Sequence, residues 1–162
     1  MRVALSQSSV RNAIKEVRRY QGSLPSKLDR ALATLAEIGV STAQGTVRSS
    51  MGNVAAAIRF EKAGSACYLV ISDDEEAAFA EFGTGVMGEG TYPGELPPEF
   101  AGYDLRWTPA AHDPDQPEKW YYYDEEGRRR STWGQTADAY MFAGSEVMKQ
   151  MVVPVFKDVF SS

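Results

Sequence analysis

Apolar residues recur at helical spacing twice near the start of this chain. Over residues 8–21, Val10, Ile14 and Val17 make one stripe while Arg11, Lys15, Arg18 and Arg19 point elsewhere, which predicts an amphipathic helix. Gly22, Ser23 and Pro25 then read as a break. A second, longer helix is expected over residues 26–43, with Leu28, Leu32 and Leu35 at helical steps, weakened at Gly39 and ended by Gly45. From residue 53 the period changes to two. Val54, Ala56, Ile58 and Phe60 face one way and Arg59 and Glu61 the other, as in a half-buried strand. Residues 62–65 predict a turn and residues 66–72 a second strand, closing a hairpin. Because Cys67, Tyr68, Leu69, Val70 and Ile71 are all apolar or aromatic, this strand is expected inside a sheet, covered on both faces.

The stretch over residues 73–94 organises what surrounds it. Ser72 or Asp73 can cap a short helix, Glu75 and Glu76 suit its first turn, and Phe79 and Phe82 are three apart on one face. Gly83 is then the left-handed residue that stops the helix. Gly83, Gly85 and Gly88 spell G-x-G-x-x-G, the pattern that cradles a dinucleotide pyrophosphate when a strand precedes it and a helix follows. Here a helix precedes and more Gly, Thr and Pro follow, so the pattern reads as a helix stop and a loop.

Residues 86–118 hold most of the prolines and are expected to form a long irregular loop whose Tyr92, Phe100, Tyr103 and Trp107 need a surface to cover them. A third strand is expected over residues 119–123, a turn at Asp124, Glu125, Glu126 and Gly127, and a fourth strand over residues 128–133. Gly134 ends it, and Thr136 can cap a last helix starting near Ala137. Tyr140, Met141, Met148, Met151, Val152, Val155, Phe156, Val159 and Phe160 supply its apolar stripe, and Pro154 is expected to kink or split it. Met and aromatic side chains at this spacing suit a core or a subunit contact.

Composition narrows the function. The 162 residues fit one domain spanning 1–162, and 43% hydrophobic with 24% charged residues is ordinary for a globular chain. A net charge of −5 argues against a general binder of phosphate backbones. The opening Met-Arg-Val-Ala-Leu-Ser is too short an apolar run for a signal peptide, and no stretch approaches the roughly 18 apolar residues of a membrane helix. One Cys, Cys67, and one His, His112, cannot build the usual zinc sets, and His112 in a Pro-rich loop is poorly held for catalysis. No catalytic residue, cofactor or metal is therefore assigned.

Several short motifs together resemble a known family. Phe79, Ala80, Glu81, Phe82, Gly83, Thr84 and Gly85 come first, followed by Tyr92, Pro93 and Gly94. Trp120, Tyr121, Tyr122, Tyr123 and Asp124 follow with Gly127, then Thr132, Gly134 and Gln135, then Tyr140 and Met141. In order and spacing they resemble the neck or tail-completion family of long-tailed bacteriophages, the "tenth gene product" family of lambda-like phages. Residues 35–40, Leu-Ala-Glu-Ile-Gly-Val, also suit that family's second helix. The resemblance implies an α+β fold, with a small antiparallel sheet of about four strands in two hairpins packed against N-terminal and C-terminal helices. It also implies a structural protein of virion assembly, without enzymatic activity, made in the bacterial host cytoplasm by a phage or prophage. Head–tail joining or tail completion as a homo-oligomeric ring follows, with other neck and tail proteins as partners and DNA passing through without specific binding. Phe79, Glu81, Phe82, Gly83, Thr84, Gly85, Tyr92, Trp120, Tyr122, Tyr140 and Met141 are then the expected assembly contacts.

Two other classes are carried alongside. A nucleic-acid-binding regulator would use the basic run from Arg11 to Arg19 with Arg128, Arg129 and Arg130. A small carboxylate-dependent metal enzyme would use Glu81 with Asp73, Asp74, Glu75 or Glu76, provided that those carboxylates converge.

Overall fold

In the computed structural model the residues described are 6–96, 112–113, 116–123 and 126–161. Helix α1, Gln7–Thr46, runs 40 residues without interruption. Ser6 starts it, its Oγ accepting the N–H of Ser9 at 3.1 Å. The break expected at Gly22, Ser23 and Pro25 does not occur, and the two expected helices are one. The segment around Pro25 is largely solvent-exposed, so water can take the carbonyl that proline leaves without an amide donor. The hydroxyls of Ser23 and Ser26 also bond back to the carbonyls of Tyr20 and Ser23.

A short 3-10 turn, Ser49–Met51, leads to helix α2, Gly52–Ala57. A strand was expected there, and it begins only at Ile58. Val54 and Ile58, both buried, are four apart as well as even-spaced, so the same residues satisfy either period, and three consecutive alanines favour helix.

Strands β1, Ile58–Gly64, and β2, Cys67–Ser72, pair antiparallel around a two-residue turn. Two corrections follow. Among the described residues the hairpin stands as its own two-stranded sheet, and β2 is not inside a larger one. Cys67 and Leu69 are exposed, so β2 is covered on one face only. Its run of apolar residues reads like a central strand, but α1 and α2 cover it from one side.

After β2, Asp74 Oδ1 accepts the N–H of Glu76, and helix α3 starts only at Ala77 and ends at Phe82. The acidic residues therefore sit in a turn before the helix. Ala80 and Glu81 face the interior, while Phe79 is 39% exposed and Phe82 half-buried, so the face that the two phenylalanines share is not the buried one. Helix α4, Gly85–Gly88, follows, so the irregular loop starts later than expected. Phe100, Tyr103 and Trp107 lie outside the described residues.

His112 falls in a strand, β3, His112–Asp113, and not in a loop. Strand β4, Gln116–Tyr123, pairs with β3 and with β5, Arg129–Thr132. β4 begins three residues earlier than expected; Pro117 is accommodated where the β3–β4 register shifts. The described strands thus form two antiparallel sheets, not the single four-stranded sheet expected.

Helix α5, Tyr140–Ser161, closes the fold as one helix through Pro154, which faces solvent. It starts at Tyr140 and not near Ala137, because residues 137–139 are tied elsewhere: the amides of Asp138 and Ala139 bond the carbonyls of Ala80 and Glu81 at 2.8 and 3.1 Å. α5 packs along α1, where Gly144 lets the helices approach: a Cβ there would lie 2.8 Å from the Gly39 carbonyl. Among the described residues two apolar clusters result. One joins Ala43, Val47, Val54, Ile58, Ala80 and Tyr140, and the other joins Ala31 and Leu35 with Val155 and Val159. The fold is α+β, with long helices toward both ends of the described chain.

Candidate assembly site

Three sets of contacts, each joining residues 79–92 to residues 133–142, meet at the start of α5. The first centres on Glu81, whose carboxylate is 6% exposed. It accepts the N–H groups of Met141 at 2.8 Å and Phe142 at 3.0 Å. Amides in the first turn of a helix have no partner within it, so a carboxylate from α3 takes the place of a local cap. Thr136, the cap expected from sequence, instead accepts from Arg48 through its carbonyl. Burial pushes the Glu81 carboxyl above the usual glutamate range, against the opposing pull of the Met141 and Phe142 amides and the Tyr92 hydroxyl. Burial also raises the Tyr92 phenol, and the neighbouring Glu81 charge adds to the shift. Tyr140 is buried, its hydroxyl 3.3 Å from the Ala77 carbonyl, and burial raises its phenol as well.

The second set lies in the glycine loop. Gly83 ends the helix at φ +77° and ψ 175°, a conformation open to glycine but not the left-handed helical one expected, and returns its N–H to the Phe79 carbonyl at 2.9 Å. Thr84 and Gln135 then exchange both backbone hydrogen bonds, at 2.8 and 2.9 Å, an isolated antiparallel bridge. The bridge is possible only because no side chain intervenes. A Cβ on Gly134 would lie 1.9 Å from the Thr84 carbonyl oxygen, and one on Gly85 would lie 2.4 Å from that of Trp133. The room above the G-x-G-x-x-G glycines is filled by the backbone of residues 133–137.

The third set is aromatic. Tyr92 meets Phe82 edge-to-face at 5.0 Å and Phe142 at 5.8 Å, both near 71°. Beside it, Arg48 makes an ion pair with Asp138 at 2.5 Å and bonds the same carboxylate through its backbone N–H at 3.0 Å. Thr91 Oγ1 accepts the N–H of Ala137 at 2.8 Å.

Of the expected contacts, Glu81, Phe82, Gly83, Thr84, Gly85, Tyr92, Tyr140 and Met141 therefore come together. Phe79 joins through its carbonyl, which also accepts from Gln135 Nε2 at 3.1 Å, while its ring faces outward. Trp120 and Tyr122 stand apart in β4, paired with Thr132 and Arg130. Arg48, Asp138 and Thr91 were missed. The one available signal was isolation: Asp138 is the sole charge between Ser131 and Ser145, and Arg48 the sole one between Val40 and Ile58.

The alternative sites are dispersed. Asp73 pairs with Arg59 at 2.6 Å, Asp74 caps Glu76, and Glu81 turns inward to α5, so these carboxylates do not converge. Among the described residues no group of three or more His, Cys, Asp or Glu is placed to hold a metal. Arg128 pairs with Glu126 at 2.7 Å and Arg129 stacks over the Tyr121 ring at 3.6 Å, so the arginine run is not one patch. Among the described residues no helix is long and apolar enough to cross a membrane. No protein-family model, curated protein or solved structure matches the chain.

Proposed function

We propose that this chain is a structural subunit of a tailed-phage or prophage virion, working at the neck in head–tail joining or tail completion, and that it acts without catalysis. The observation that carries the reading is the convergence just described. Residues 81–85, Gly134 with Gln135, and Tyr140 with Met141 carry the phage resemblance from separate parts of the chain, and they meet in one joint. Motifs matched by accident of composition would have no reason to do so.

Surface character supports the same reading. Met87, Leu69, Trp133 and Val153 are large apolar side chains open to solvent, as expected of a protein whose working state is packed among other subunits. The net charge of −5 suits a ring through which DNA passes, because carboxylates such as Asp73, Asp74, Glu75 and Glu76 would repel phosphates and keep the genome from sticking. The test is deletion of the gene from the phage or prophage that carries it, followed by electron microscopy of the particles. Unjoined heads or defective tails are the expected result. Normal infectious particles lacking the protein would overturn the reading.

A further inference from the structure

The apolar stripe of α1 does not stop where its cover stops. Ala31 and Leu35 pack against Val155 and Val159 near the end of α5, and Arg30 Nη2 reaches the Val159 carbonyl at 3.2 Å. In the direction of the N-terminus the same row continues through Leu24, Gln21, Val17, Ile14 and Val10, in alternating steps of three and four residues. Nothing described covers it: Val10, Ile14 and Val17 are 41, 48 and 56% exposed, in the part of α1 that extends past the last turn of α5. A seam that is apolar except at Gln21 is thus half used.

The chain also carries a groove that this seam fits. Leu32, Leu35, Ala36, Leu69, Met148 and Val152 help line an apolar cleft of about 600 Å³ between α1, β2 and α5. Leu69 and Val152 on its wall are open to solvent. Helices dock in such grooves through residues at i, i+4 and i+7, which is the spacing of Val10, Ile14 and Val17. The arm cannot reach the cleft of its own chain. Ile14 and Gly39 lie on one continuous helix, about 38 Å apart at 1.5 Å per residue.

Charge selects a second copy as the occupant. Residues 7–24 hold four basic side chains against one acidic, and the rest of the chain holds 13 against 21. A positive arm therefore meets a negative body in every other copy, which steers them together arm to body. Glu37, exposed beside the groove residue Ala36, can face a basic side chain of the incoming arm, while Glu146 is already paired with Lys149 of the groove wall.

We infer that residues 7–24 of one copy dock in the α1–β2–α5 cleft of the next. Arm and cleft are different surfaces, so the contact is heterologous: each copy gives one arm and takes one, and the series closes as a ring or extends as a filament. The contact is argued from geometry and charge alone; that the closed form is the ring of a virion neck rests on the preceding reading.

The test uses the purified full chain in sedimentation velocity across a dilution series at low and moderate salt. Wild type is expected to associate, more weakly as salt rises. Val17→Asp in the arm and Leu69→Asp at the cleft are each expected to weaken association about tenfold or more. Both positions are exposed, so circular dichroism should show each variant folded as wild type. Mixing the two variants is the decisive step. The first keeps its cleft and the second its arm, so together they should form a one-to-one pair that grows no further.

A wild type that stays monomeric throughout overturns the inference. So does a Leu69→Asp chain that associates as wild type does, since arm would then pair with arm. Monomers whose arm instead binds anionic vesicles or duplex DNA overturn it in favour of those partners. None of these results touches the virion reading, which stands or falls on particles lacking the protein.

Discussion

The two ends of α5 are held in different ways. At its start, Glu81 bonds two amides, Arg48 grips Asp138, and a bridge between Thr84 and Gln135 runs where glycines leave no room for side chains. At its other end, Val155 and Val159 press on Ala31 and Leu35, and the Arg30 guanidinium bonds the Val159 carbonyl from the rim of that apolar packing. Directed bonds and close backbone approach demand particular residues at particular places. Apolar packing asks for volume and shape, and tolerates exchange. The first end is thus where the fold is specified, and the second is where it is filled.

The largest expected effect tests that contrast directly. Gly134→Val would bring Cβ within 1.9 Å of the Thr84 oxygen, at a residue whose φ is +92°. A β-branched residue cannot be accommodated there without opening the bridge, and a loss above about 4 kcal/mol is expected. Leu35→Met, at the filled end, should cost less than about 1.5 kcal/mol. Denaturant unfolding of both variants measures the difference. Equal losses would remove the distinction between the two ends.

Next comes Glu81→Ala. It leaves the amides of Met141 and Phe142 without their acceptor in a buried position, which should cost about 2–3 kcal/mol. Amide hydrogen exchange should quicken first at the beginning of α5. Protection there equal to wild type would mean that water replaces the carboxylate.

This contrast also explains what could be read in the sequence. The helices at the filled end announce themselves by periodicity, as do the β1–β2 hairpin and the helix stop at Gly83. Periodicity misled where one set of residues fits two periods, as at Val54 and Ile58, and where apolarity was mistaken for double coverage in β2. The continuity of α1 through Pro25 was hidden because a local break signal can be overruled where the helix face lies open to water. At the joint, the residue types were visible but their partners were not. Glu81 and Met141 are sixty residues apart, and no local pattern says that one caps the other. Arg48 with Asp138 is the same case at ninety.

A smaller effect separates two glycines of the loop. Both Gly83→Val and Gly88→Val bring Cβ within 3 Å of backbone, at 2.7 Å from the Ala137 nitrogen and 2.8 Å from the Gly83 carbonyl carbon. Gly83 alone has a positive φ, +77°, so its variant should be worse by roughly 1–3 kcal/mol. The gap is narrower than a free Gly88 would allow. Equal unfolding midpoints would show that crowding, and not backbone conformation, decides at both sites.

The smallest expected effect is a slope. Folding raises the Glu81 pKa, because burial disfavours the charged form by more than its hydrogen bonds favour it. The folded state therefore binds this proton more tightly than the unfolded chain does. The stability that protonation contributes is fully present below the ordinary value of 4.5 and is lost as pH rises through the raised folded value. Glu81→Gln keeps one carbonyl acceptor and never ionises, so it has no such slope. Wild-type stability relative to Glu81→Gln should then decline as pH rises from acid toward neutrality, whatever the offset between the two. Unfolding free energies of both chains, taken at matched pH across that range, measure the difference, and the other titrating groups largely cancel. A difference that stays flat would mean that the helix amides hold the carboxylate charge at no net cost. A difference that grows with pH would mean that they favour it, reversing the sign assigned to burial.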